Sequence, residues 1–201
     1  ECASRIRVLV EEAKVRGVGV EIDMEDSPYT QATLDLYTET LQWAPGTRLA
    51  LQSYLRRSED DFRQLIAAGG SVRLVKGAYL EPQEVAFQKK SEVDEAFRNL
   101  VSVGLTREAR EAGFYLAVGT HDDALVSHAV EVAKENGLSP EEFEFQFLFG
   151  IRKDLQRHLA AEGYRVRVYL PFGDQWYPYF MRRLAERPAN LAFILKNMFK
   201  G

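Results

Sequence analysis

Cysteine is nearly absent. Cys2 is the single one, so no disulfide can form within the chain and a disulfide-stapled secreted scaffold is excluded. Histidine is scarce as well: His121, His128 and His158 are widely scattered, which excludes the close His/Cys spacing of a zinc site, and no metal is expected. No apolar run approaches the length of a membrane-spanning helix, and no secretory leader is visible. A cytoplasmic setting is therefore expected. There is no excess of positive charge. Lys and Arg total 26 against 30 Asp and Glu, a net charge of −4, and the signs are interspersed, so no nucleic-acid partner is expected. No internal repeat, low-complexity segment or interdomain linker interrupts the chain. It opens on Glu1 rather than Met, read here as the loss of an N-terminal portion.

What is present is an ordinary globular composition, 46% hydrophobic and 28% charged over 201 residues. Residues 1–201 are expected to form one domain or the larger part of one. Short β-branched and aromatic runs alternate with longer stretches of helical periodicity. Strands are predicted at Val18–Asp23, Arg48–Ser53, Val72–Lys76, Tyr115–Thr120, Phe143–Leu148 and Val166–Leu170. Helices are predicted near 3–16, 29–42, 59–68, 92–112, 123–136 and 152–162, then near 176–187 and 189–199. Ser58 with Asp61 reads as a capping box. Ser27 reads as a cap before Pro28, and Gly17, Gly113, Gly137 and Gly163 read as helix stops. Strand–helix alternation with short connections implies parallel strands in an α/β fold. The choice lies between a doubly wound open sheet and a closed (βα)8 barrel, which the six strand-like runs leave two strands short.

Polar residues gather where the strands end. Asp23, Gln52, Lys76, the run Thr120-His121-Asp122, Gln146 and Tyr169 all fall at or near C-terminal strand edges, and that edge carries the active site of barrel enzymes. Any one of these can instead mark a strand meeting solvent. Lys76 lies in an apolar run before Gly77-Ala78. It admits three readings: a Schiff-base amine, a cation for a phosphate, or a structural lysine paired with Asp23 or Glu25. Small residues after it favour close approach of a phosphate ligand. Arg73, three positions earlier, starts on the opposite strand face. Farther on, Tyr179, Arg182, Arg183 and Glu186 fall at helical spacing. The adjacent arginines can grip a carboxylate in bidentate fashion under aromatic cover, or form a surface helix with a routine Arg–Glu pair.

Taken in order, Asp23-Met24-Glu25-Asp26, Leu51-Gln52-Ser53-Tyr54, Val72 through Tyr79, Thr120-His121-Asp122, Glu144-Phe145-Gln146 and Tyr169 through Glu186 resemble the proline dehydrogenase family. The likeness is to the monofunctional bacterial type, related to the catalytic domain of proline utilisation A, and runs from about Gly17 to Asn190. The resemblance implies a distorted (βα)8 TIM-like barrel whose first two strands are missing from this chain. It implies FAD across the strand C-terminal ends, and no Gly-x-Gly-x-x-Gly fingerprint is present or needed. It implies oxidation of L-proline to 1-pyrroline-5-carboxylate, the first step of proline catabolism to glutamate. Hydride passes from C5 to flavin N5, and a membrane quinone takes the electrons, with peripheral contact at the inner face of the cell membrane.

By the same resemblance, Arg73 stands near flavin N5 and Gln52 at the pyrimidine edge. Lys76, Gly77, Ala78 and Tyr79 line the flavin or its diphosphate–ribityl chain, and Thr120, His121 and Gln146 complete the cofactor site. Arg182 and Arg183 clamp the proline carboxylate with Glu186 behind them, Tyr169 and Tyr179 pack on the pyrrolidine ring, and Asp23 orders the site. Arg73, Lys76, Asp23 and Tyr169 form the implied catalytic set. Two departures stand out. Gly119 replaces the family's usual Ala, expected to be a mild steric change, and Asp122 replaces a frequent Asn, adding a negative charge or acting as a helix cap. The rivals are a Schiff-base aldolase using Lys76 and a degenerate barrel used for binding.

Overall fold

A computed structural model describes residues 1–174. Its elements alternate as α1 (Cys2–Val15), β1 (Glu21–Ile22), α2 (Ser27–Trp43), β2 (Arg48–Gln52), α3 (Ser58–Ala67) and β3 (Ser71–Val75). Then follow α4 (Lys90–Gly104), α5 (Arg107–Glu111), β4 (Tyr115–Gly119), α6 (Asp123–Glu135), β5 (Glu144–Leu148), α7 (Lys153–Ala161) and β6 (Arg165–Tyr169). The two helices expected near 176–187 and 189–199 lie outside the described residues, as do Tyr179, Arg182, Arg183 and Glu186.

The six strands form one parallel sheet in the order β1-β2-β3-β4-β5-β6. It is a curled half-barrel: Arg73 on β3 reaches Glu21 on β1 and the Tyr169 ring on β6, contacts a flat sheet would not allow. Eight-strand closure is not formed by the described residues, and β1 and β6 are the edges of the sheet they make.

Period-2 alternation sorts the side chains. Leu49, Leu51, Val72, Leu74, Leu116, Val118, Phe145 and Phe147 point to the convex face and pack with Tyr37, Phe62, Phe97 and Leu125 from the helices. Each such large side chain contributes roughly 1.5–3 kcal/mol by leaving water. The alternate positions, including Arg48, Arg73, Glu144, Gln146 and Arg167, face the concave side, where Arg48, Arg167 and Gln146 converge on Glu144 and Arg73 pairs with Glu21.

Helix ends follow local chemistry, with corrections. Gly17, Gly113, Gly137 and Gly163 all have positive φ and stop their helices as predicted. Asp122 caps α6, its carboxylate accepting from the Ala124 N–H at 3.1 Å. The stretch predicted as one helix over 92–112 is two: α4 ends at Gly104, and Thr106 opens α5 by accepting from the Ala109 N–H. Ser58 does not cap α3. Arg57 holds that position, and the Ser58 hydroxyl donates to the Gln52 carbonyl. Nor does Ser27 cap α2; Asp26 occupies the cap position without a side-chain bond. Both oxygens of Glu81, from the loop after β3, accept instead from the Ser27 N–H and hydroxyl at 2.6 Å.

Candidate active site at the barrel mouth

The C-terminal strand ends carry three linked clusters. In the first, Arg73 sits on the concave face between carboxylates. Its Nε lies 2.8 Å from Glu21 Oε1, a second ion pair joins it to Asp23, and its guanidinium carbon lies 5.5 Å from the Tyr169 ring centroid. Arg73 Nε and Glu21 Oε1 are buried, and neither has an aligned hydrogen bond. Of the expected set Arg73, Lys76, Asp23 and Tyr169, the structure brings Asp23 and Tyr169 to Arg73, while Lys76 pairs elsewhere. Glu21 was not singled out in the sequence. It lies two positions before Asp23 in the run predicted as a strand over Val18–Asp23, and alternation along that run would put the two on one face.

The second cluster stitches the first three loops. Gln52, 3% exposed, donates from Nε2 to the Glu25 carbonyl at 3.0 Å and accepts from the Ala78 N–H at 3.2 Å. The Tyr79 hydroxyl donates to Glu25 at 2.6 Å. Gly77 has φ +123, and a β-carbon there would stand 2.3 Å from the Tyr54 ring. The space attributed to an approaching ligand is thus filled by an aromatic of this chain.

The third cluster corrects the partners expected of Lys76. Neither Asp23 nor Glu25 holds it. Because β3 ends at Val75 and Lys76 starts on the helix-facing side, its ammonium reaches Asp94 on α4 at 2.6 Å and Asp122 at 3.2 Å. Lys90 pairs with the same two carboxylates. Burial opposes charge on Asp94 and Asp122, but the two ammoniums outweigh it and hold both pKa values below the ordinary carboxylate range. Asp94 lies far from the strand ends in sequence, and nothing local marks it.

Thr120 is buried, its hydroxyl accepting from the Asp122 N–H at 3.3 Å. His121 Nε2 accepts from the Leu148 N–H at 3.0 Å, and burial together with the Arg152 cation lowers the ring's pKa to about 4. Gln146 is turned into the half-barrel, donating to Glu144 at 2.7 Å and Glu21 at 3.4 Å. Gly119 is not the mild site expected. A β-carbon there would lie 2.9 Å from both the Leu74 carbonyl oxygen and Val75 Cγ1, so β3 would have to give way.

Polar side chains converging on the C-terminal ends of curled parallel strands define the active-site plan of barrel-type α/β enzymes. Known proteins narrow that class. The family model described as proline dehydrogenase matches residues 2–196. Proline dehydrogenase 2 of Bacillus subtilis is 43% identical over 96% of this chain, and proline dehydrogenase of Deinococcus radiodurans is 44% identical over 97%. The chain spans 62% of the length of each. Among solved structures, proline utilisation A from Bdellovibrio bacteriovorus, inactivated by N-propargylglycine, superposes with a TM-score of 0.83 at 26% identity, over 90% of this chain and 21% of that one. The chain belongs to the proline dehydrogenase family.

Proposed function

We propose that the protein containing this chain oxidises L-proline to 1-pyrroline-5-carboxylate, using FAD and passing the electrons to a quinone at the membrane surface. The observation that carries this reading is the Arg73 guanidinium on the concave face, framed by Glu21, Asp23 and Tyr169, in a chain of this family.

The residues present fit the cofactor. Arg73 is a mostly buried cation on the concave face, suited to an electron-rich heterocycle. Gln52, Ala78, Tyr79, Thr120 and His121 follow or end strands at the same C-terminal edge, as do Lys76 and Gly77, although Lys76 is held by Asp94 and Asp122 and Gly77 packs on Tyr54. These residues, with Arg73 and Gln146, would hold FAD. When bound, FAD supplies the acceptor at N5 for the hydride leaving proline C5.

The protein's own contribution is charge and placement. Arg73 offers a fixed cation where negative charge develops, with Glu21 and Asp23 holding it against drift. Tyr169 presents an aromatic face beside that cation, suited to cover an apolar ring and exclude water. Arg182 and Arg183 are assigned to the substrate carboxylate, Glu186 to their placement and Tyr179 to the ring wall. Lys76 lies in ion pairs with Asp94 and Asp122, which disfavours the Schiff-base reading, since that chemistry needs a free amine.

The test is the anaerobic absorption spectrum of the purified holoenzyme. A yellow protein bleached by proline and recoloured by a soluble quinone is expected. A colourless protein trapped by borohydride with a keto substrate would establish the aldolase instead, and flavin that proline leaves oxidised would establish the binding-only barrel.

A further inference from the structure

His121 follows β4 and Arg152 precedes α7, yet the two residues are interlocked. The Leu148 N–H donates to His121 Nε2 at 3.0 Å. A peptide N–H can only donate, so Nε2 is the unprotonated nitrogen and Nδ1 carries the proton of the neutral ring. The ring also stands edge-on to Phe147, with centroids 5.7 Å apart. The carbonyl of His121 accepts from Arg152 Nη1 at 3.2 Å. The same guanidinium grips Asp123 at 2.9 and 2.7 Å and Asp154 at 3.0 and 3.1 Å, and its side chain is only 16% exposed.

The backbone of Arg152 pays for this grip. At φ 52 and ψ 49 it is left-handed, the one non-glycine residue with positive φ among the described residues. Glycine would adopt this conformation freely, whereas a branched chain of contacts must hold an arginine there.

We infer that Arg152 is a positioning residue for His121: it clamps the His121 carbonyl to Asp123 and Asp154, so that the imidazole keeps its Nδ1–H tautomer as a fixed, neutral donor at the barrel mouth. The consequence for the cofactor rests on the function proposed above; the clamp and the tautomer do not. Arg152 is the cation that acts on the ring, and Asp122, Asp123 and Asp154 stand at the starts of α6 and α7. Burial and the Arg152 cation lower the pKa of His121 to about 4, in keeping with a ring that stays neutral at pH 7.

Arg152→Gly removes the clamp while suiting the left-handed backbone, so loss of side-chain contacts is separated from strain. Long-range proton–nitrogen NMR of the His121 ring is expected to show Nδ1–H alone in the wild type and a tautomer mixture in Arg152→Gly, in flavin-free and flavin-loaded protein alike. The FAD dissociation constant, read by flavin fluorescence, is expected to rise about tenfold. Arg152→Lys, which keeps the charge but not the fork, is expected to fall between, and it carries the same readouts if the glycine variant does not fold. In a His121→Phe background Arg152→Gly is expected to leave FAD affinity unchanged. The inference is overturned by Nε2–H in the wild type, by ring signals that ignore Arg152→Gly, or by an equal affinity loss with and without His121. A protein that binds no FAD would sink the proposed function, while the tautomer in flavin-free protein would still decide the clamp.

Discussion

At the scale of single residues, a missing β-carbon fixes the turn after β3. Gly77 is left-handed, and Tyr54 occupies the space its side chain would need. Gly77→Ala therefore meets both a backbone penalty and a clash with a buried ring, and is expected to cost about 2–4 kcal/mol. The change should also disturb the bond from the Ala78 N–H to Gln52, next in the chain. Thermal unfolding followed with flavin content checks both; an unchanged melting temperature would refute the packing argument. The sequence marked Gly77 as a point of close approach but not what approaches, because Tyr54 comes from the turn after the neighbouring strand, β2. Lys76 teaches the same lesson. Its place in an apolar run marked it out but left open an amine, a phosphate cation or an ion pair with Asp23 or Glu25, because Asp94 and Asp122 are brought to it by packing of α4 and the α6 start.

At the scale of elements, strand positions were legible almost to the residue, since alternation along buried β-branched runs has few other solutions. β1 is the exception, two residues long where six were predicted. Among the described residues it is an edge strand, paired with β2 at Glu21↔Arg48 and Ile22↔Leu49. Helix starts were less legible, because the group that caps a helix can come from elsewhere in the chain. Glu81 at the start of α2 is such a case: its carboxylate binds the Ser27 N–H and hydroxyl and places negative charge at the positive end of the helix. Glu81→Ala is expected to destabilise by about 1 kcal/mol. It should speed amide exchange in the first turn of α2 and loosen the Gly77–Tyr79 loop. Exchange that accelerates in α2 alone would show that Glu81 does not couple the two.

At the scale of the whole molecule, the half-barrel is sorted by face: apolar against the helices, charged toward its concavity. Glu144 is the hub of that interior, 3% exposed. It accepts from Arg48 at 2.6 Å, from Arg167 at 2.8 and 3.1 Å, and from Gln146 at 2.7 Å. Glu144 was legible only as part of a family motif, and its role was not, because its arginine partners come from β2 and β6. Burial opposes its charge, but the bonds from Arg167 and Gln146 and the nearby Arg48 outweigh burial and lower its pKa to about 2. A depressed carboxylate stabilises the fold fully above its unfolded-state pKa, and that stabilisation drains away as pH falls toward the folded-state value. The window therefore runs from about pH 4.5 down to about 2. The drop in pKa corresponds to at most roughly 3 kcal/mol at neutral pH. Glu144→Gln is expected to cost about 2–4 kcal/mol at pH 7, since it leaves two arginines facing each other unneutralised. At pH 3, where the wild-type carboxylate has lost part of its advantage, the gap between the two proteins should narrow by about 2 kcal/mol. Urea unfolding at both pH values measures that gap. A constant difference would mean that the Glu144 charge contributes nothing and that the carboxylate acts through shape alone.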